Sequence, residues 1–201
     1  MSTATLAPPA TNPLSPEHHQ ELALAGQHAK PIYKAARVAA MNGWATAIIA
    51  ALSAPFALFD LTGVVMFVGL SVVAFNEFRG RKRLLQFDPS GATLLGRNQL
   101  GLMAMIVTYC LWMTYAGLTS PSPFDAELAS TPELKEVFGS LGDMGELYQS
   151  VVIVFYGTVA LLSVVFQGLN ALYYFSRRWR VAQFVAETPE WVRDVQRAKI
   201  E

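Results

Sequence analysis

Four long apolar runs, separated by charged or turn-forming residues, restrict this chain to a membrane architecture. They cover residues 38–59, 61–78, 99–118 and 147–175. The first, at ~1.5 Å per residue, reaches ~33 Å, enough for the hydrocarbon core of a bilayer. The fourth reaches ~43 Å, so it must tilt or extend into the headgroups. Only 15% of the chain is charged and 53% is hydrophobic, whereas a soluble domain is roughly 25% charged. The predicted fold is all-α: a polytopic membrane protein with four transmembrane helices as two helical hairpins, plus short amphipathic helices.

Charge orients the hairpins. The stretch from Arg79 to Arg97 carries Arg79, Arg81, Lys82, Arg83 and Arg97 against the single anion Asp88. Lys30, Lys34 and Arg37, with Tyr33 among them, precede the first run. Tyr173, Tyr174 and Phe175 meet Arg177, Arg178, Trp179 and Arg180 after the fourth. Cytoplasmic loops collect Lys and Arg, and aromatic residues favour the interfaces. With both termini in the cytoplasm, 14 of the 15 Lys and Arg fall on that side and only Lys135 lies outside. A bacterial inner (plasma) membrane is the expected location.

In chain order, residues 1–29 form a polar N-terminal segment. Pro8, Pro9, Pro13 and Pro16 among Ala, Ser and Thr predict disorder at its start, and a short surface helix is expected from Glu17 to Ala29 before Pro31 interrupts. No basic region followed by an apolar one is present, so a cleaved signal peptide is not expected. Residues 30–180 form the transmembrane domain. Gly43, Ala47 and Ala51 share a face that would let another helix approach closely. Pro55 should tighten the end of the first span, and Asp60 should cap the second. The first two spans are short, and the rival to a full crossing is a re-entrant hairpin. Trp112 and Tyr115 mark the outer interface. The acidic segment 119–149 contains TPELKEVFGSL, which has a Thr131 cap, Pro132 at the first helical position and apolar residues at helical spacing. Residues 181–201 form a C-terminal amphipathic segment. Its helix is expected to be capped by Thr188 and to present Trp191, Val195 and Ala198 on one face of the membrane surface.

An internal repeat is suggested by LSVV, an Asn, a basic cluster and Gln-Phe, which recur from the last turns of the second and fourth spans into the residues after them. Topology alone produces most of that match, because any span ending in the cytoplasm turns from apolar to polar to basic.

Polar side chains converge on the cytoplasmic leaflet: Asn42, Asn76, Glu77, Asn98, Gln99, Gln167 and Asn170. Such groups face the bundle interior or water and often mark pathways; they also act as interhelical glue, at roughly 0.6 kcal/mol per bond. Glu77 leads as a proton-accepting or cation-binding carboxylate, with a pairing to Arg79, Arg81 or Arg97 as the structural reading. Arg79, Arg81, Lys82, Arg83, Arg177, Arg178 and Arg180 suit contact with anionic lipid, at about 1 kcal/mol each. His18, His19 and His28 read as solvated, and lone Cys110 as a small hydrophobe. Neither a metal set nor a catalytic motif occurs, and no cofactor is expected. The cations hug span ends without a reading element, which argues against nucleic acid.

These features point first to a non-enzymatic membrane scaffold or accessory subunit acting by helix packing and lipid contact. Its partners would be membrane lipids and either another membrane protein or copies of itself. The alternative is a small oligomeric transporter or channel with the polar layer as its site. A membrane enzyme ranks last, because no nucleophile–base pair is evident.

Overall fold

The computed structural model describes residues 14–120 and 144–199. The amphipathic stretch predicted over 131–141 and residues 1–13 of the Pro-rich start lie outside them, while Pro16, expected in that start, opens the first helix. Among the described residues, five α-helices follow in order: α1 (Pro16–Ser53), α2 (Leu61–Leu85), α3 (Pro89–Thr119), α4 (Met144–Glu187) and α5 (Glu190–Ala198). Helices α1 to α4 are each long and apolar enough to span a membrane, so the chain is a polytopic helical membrane protein. Pairwise packing joins α1 to α2, α2 to α3, α3 to α4 and, more sparsely, α4 to α1. The result is an up-and-down bundle.

Local chemistry explains the helix ends. Ser15 caps α1: its Oγ accepts from His18 N, while Ser15 N donates to His18 Nδ1, both at 3.3 Å. His18 is therefore a capping residue, not merely a solvated one. Pro55 tightens the end of the first span into a 3₁₀ turn over Ala54–Leu58. Asp60 then caps α2 by accepting from Gly63 N. Position 63 suits only glycine, because a Cβ there would collide with the Phe56 carbonyl. Asp88 caps α3 through Ser90 N at 2.8 Å.

Three expectations about continuity change. First, Pro31 does not interrupt the first helix. It lies inside α1, which is 38 residues long. A proline ring removes the bond that the Gln27 carbonyl would accept, a cost of about 3 kcal/mol. Packing of Ala25, Ala29 and Ile32 into the core on either side of it offsets that cost. Second, the basic stretch 79–97 is mostly helical. α2 continues to Leu85 and only Gln86, Phe87 and Asp88 turn the chain. Asp88 N bonds to Arg83 O and Phe87 N to Leu84 O, the paired bonds of a Schellman motif. The left-handed position falls on Phe87, with φ 57°, where glycine is usual. The steric cost of roughly 1–2 kcal/mol is offset because the ring is buried, with its centroid 4.7 Å from that of Phe184. Third, α4 runs 44 residues, through the expected boundary at 180, and buries Val181 and Phe184.

Helix α5 also differs. Pro189, not Thr188, occupies the cap position, and no side chain caps it. Thr188 is instead buried at the bend. The buried face is Val192 and Gln196, whereas Trp191, Val195 and Ala198 are exposed. This face turns toward α1: Gln196 Nε2 donates to Leu22 O at 3.3 Å, and Tyr33 Oη donates to Gln196 Oε1 at 3.4 Å. The amphipathic pattern was misassigned because a polar residue, Gln196, lies at the centre of the docked face.

A buried stripe of α1 runs through Ala25, Ala29, Ile32, Ala36, Ala39, Gly43, Thr46 and Ala50, with Ala35 buried beside it. The steps alternate four and three, the period of a coiled-coil seam. The predicted four-residue row drifts off this seam: Gly43 is buried, Ala47 half-buried and Ala51 exposed. The LSVV segments also behave differently. Leu70 and Val73 are buried in the first, while only Ser163 is buried in the second, so the two do not pack as equivalent faces.

Candidate functional site: a buried polar node

Helix register brings the polar residues together. A Cβ on Gly43 of α1 would lie 3.2 Å from Glu77 Cβ of α2, so the absent side chain makes room for the carboxyl stem. On α3, a Cβ on Gly96 would touch the Phe175 ring of α4 at 2.7 Å. These two close approaches draw all four long helices to one level.

Glu77 stands at the centre with no solvent exposure. Its Oε1 accepts from Asn98 Nδ2 at 2.9 Å and from Gln99 Nε2 at 2.8 Å. Asn98 Nδ2 also lies 3.0 Å from the Val73 carbonyl, and Asn98 Oδ1 accepts from Asn76 Nδ2 at 3.3 Å. From α1, Asn42 Nδ2 donates to the phenol of Tyr174 on α4 at 3.2 Å. Tyr174 is itself fully buried and lies beside the carboxyl, although Glu77 Oε2 has no partner within hydrogen-bond distance.

Five of the seven predicted polar residues thus gather: Asn42, Asn76, Glu77, Asn98 and Gln99. No hydrogen bond joins Gln167 or Asn170 to this node. Asn170 is half-buried, one turn before Tyr174, and Gln167 Oε1 is buried without a partner. Tyr174 was missed, because a tyrosine beside basic residues at a span end reads as an interfacial anchor. Its neighbour Tyr173 fits that role better, with the Arg177 guanidinium 4.6 Å from its ring centre.

The expected arginine partner for Glu77 is also corrected. Arg79, Arg81 and Arg97 are exposed, and no ion pair joins Glu77 to a cation among the described residues. Arg79 sits two positions on, about 200° round the helix from Glu77. Arg81 is one turn on, but it is exposed, so its long side chain reaches out to the polar boundary and not back to the carboxyl. Arg83 instead donates to Ser90 Oγ at 3.2 Å across the turn, and Lys82, Arg178 and Arg180 are exposed.

Chemically, the node can hold helices in one register. A buried polar group that loses its partner costs roughly 1–3 kcal/mol, so any slip of α3 along α2 would strand Glu77, Asn76 and Asn98 together. Among the described residues, no group of His, Cys, Asp and Glu could hold a metal ion. No protein-family model, curated protein or solved structure matches the chain.

Proposed function

We propose that this protein is a non-enzymatic scaffold or accessory subunit of a bacterial inner (plasma) membrane, with both termini in the cytoplasm, acting by helix packing and lipid contact. One observation carries the reading: the polar groups of the node bond to each other, with Glu77 unexposed and its Oε1 held by Asn98 and Gln99. A pathway would be expected to open such groups to water, whereas interhelical glue bonds them to each other. The collection of cations at one end of the bundle supports the orientation, and the exposed cations of that end suit anionic lipid headgroups. Outward-facing side chains such as Trp44, Ile48, Phe155 and Phe166 leave broad apolar surface for lipid or a membrane partner.

The transporter alternative draws on the unpartnered Glu77 Oε2. One experiment separates the two. The full chain is reconstituted in liposomes, and proton, sodium and potassium flux are followed with internal dyes. In parallel, photo-crosslinkers at Trp44 and Phe166 are activated in native membranes. The scaffold reading expects flux equal to protein-free liposomes and a discrete protein adduct. Flux that disappears in Glu77→Gln, or crosslinking to lipid alone at both positions, would overturn it.

A further inference from the structure

The same register that builds the node sets the cations of different helices at one depth. Gly43 faces Glu77 and Phe78 across the antiparallel α1–α2 pair, so Arg37 lies level with Arg83. Asn42 meets Tyr174, which puts Arg177 and Arg178 level with the turn of α1 just after Arg37. This belt marks one polar boundary of the bundle. Across it, on the outward face of α1, runs a groove of about 520 Å³ lined by Lys30, Tyr33, Lys34, Arg37, Val38 and Met41.

We infer that this groove is a binding site for one anionic phospholipid. The cations Lys30, Lys34 and Arg37 follow each other at one helical turn along a single face. All three are exposed, and no ion pair joins them to an acidic side chain among the described residues. The planar guanidinium of Arg37 suits bidentate contact with a phosphate, and the two ammonium groups add point charges. No acidic residue lines the groove. Tyr33 forms its wall and is held there, because its phenol donates to Gln196 of α5 and its ring tilts against Phe87.

The groove changes character along its length, and that change selects a lipid over a soluble anion. Toward the spans it ends in Val38 and in Met41, which is 65% exposed. From Lys30 to Met41 is ~16 Å of helix, so a headgroup among the cations leaves the first carbons of an acyl chain against Val38 and Met41. The described helix ends nearest the acidic stretch, Thr119 of α3 and Met144 of α4, lie at the other end of the bundle from the groove. Topology by itself calls only for a number of cations, not for their alignment along one concave, half-apolar surface. The inference extends the lipid-contact part of the proposed function and leaves the flux experiment unaffected, so the two can fail separately.

The test is native mass spectrometry of the full chain, released from micelles that hold equal phosphatidylglycerol and phosphatidylcholine. The wild type should retain one phosphatidylglycerol selectively. Substituting K30Q, K34Q and R37Q together should weaken retention about a hundredfold, and Lys34→Gln alone about fivefold, at about 1 kcal/mol per cation. The single variant keeps the test decisive should the triple fail to fold. Removing charge elsewhere with R97Q and K199Q, neither of which lines the groove, should leave the bound lipid in place. An equal loss in that control would reduce the groove to general surface charge. Displacement by inorganic phosphate at millimolar concentration would make it a soluble-anion site, and a wild type without selective retention would leave no site; each of these outcomes overturns the inference.

Discussion

The two ends of this bundle are packed by different means. Toward the cation-rich end, one continuous cluster buries Ala25, Ile32, Leu84, Phe87, Leu95, Tyr174, Val181, Phe184 and Val192, with contributions from all five helices. Within the spans, the corresponding cluster is only Ala50, Leu70, Val73 and Leu102. The difference follows from the solvent. Where the helices project beyond the apolar runs, burying a large side chain removes it from water and stabilises the fold by roughly 1.5–3 kcal/mol. Inside the spans, lipid tails are as apolar as leucine, so burial against a neighbour brings no comparable gain. Close approach and polar bonds take over there. A Cβ on Gly69 would collide with Met105 Sδ, one on Gly117 would meet Val152 at 2.9 Å, and the Glu77 node joins the helices between.

The contrast can be broken by truncating matched leucines. Leu84→Ala, at a site with no exposure in the projecting cluster, should destabilise the protein by about 2–5 kcal/mol, measured by equilibrium unfolding in mixed micelles. Leu102→Ala in the spans should cost distinctly less, and equal losses would show that solvent does not distinguish the two ends. Next in size is Asn98→Leu, which leaves Glu77 Oε1 with Gln99 alone and Asn76 without its acceptor. A loss of about 1–3 kcal/mol is expected in the same assay; unchanged stability would mean that the node does not hold the register. The smallest effect sharpens the comparison from the lipid side. Leu111 is 65% exposed, so Leu111→Ala should move stability by no more than about 0.5 kcal/mol, read from the midpoint of thermal unfolding.

Much of the architecture was legible in the residues. Hydropathy located all four spans, Pro55 marked the tightened turn and Asp60 the cap of α2. The polar layer was legible as a level in the bilayer, and five of its members do meet. What could not be read was who bonds to whom. Glu77 sits close in sequence to Arg79 and Arg81, yet its partners are amides more than twenty residues on, chosen by the register of α2 against α3. Gln167 belongs by sequence to the same polar layer as Asn98 but has no hydrogen bond to the node. In α5 the pattern of apolar residues pointed to one face and the docked contact used another, because α1 offered a backbone carbonyl to Gln196.

The sequence by itself therefore determined that this chain is a helical membrane protein of four spans, and how its cations divide between the ends. Transfer from water to lipid depends on each side chain almost independently, so a local sum suffices. Only the tertiary structure decided that α1 passes through Pro31, that α2 and α4 run on into a projecting core, and that a phenylalanine takes the left-handed turn position. It also decided that Glu77 is held by amides. Those outcomes depend on helices far apart in sequence meeting at a definite register, and their energies exist only once the contacts have formed.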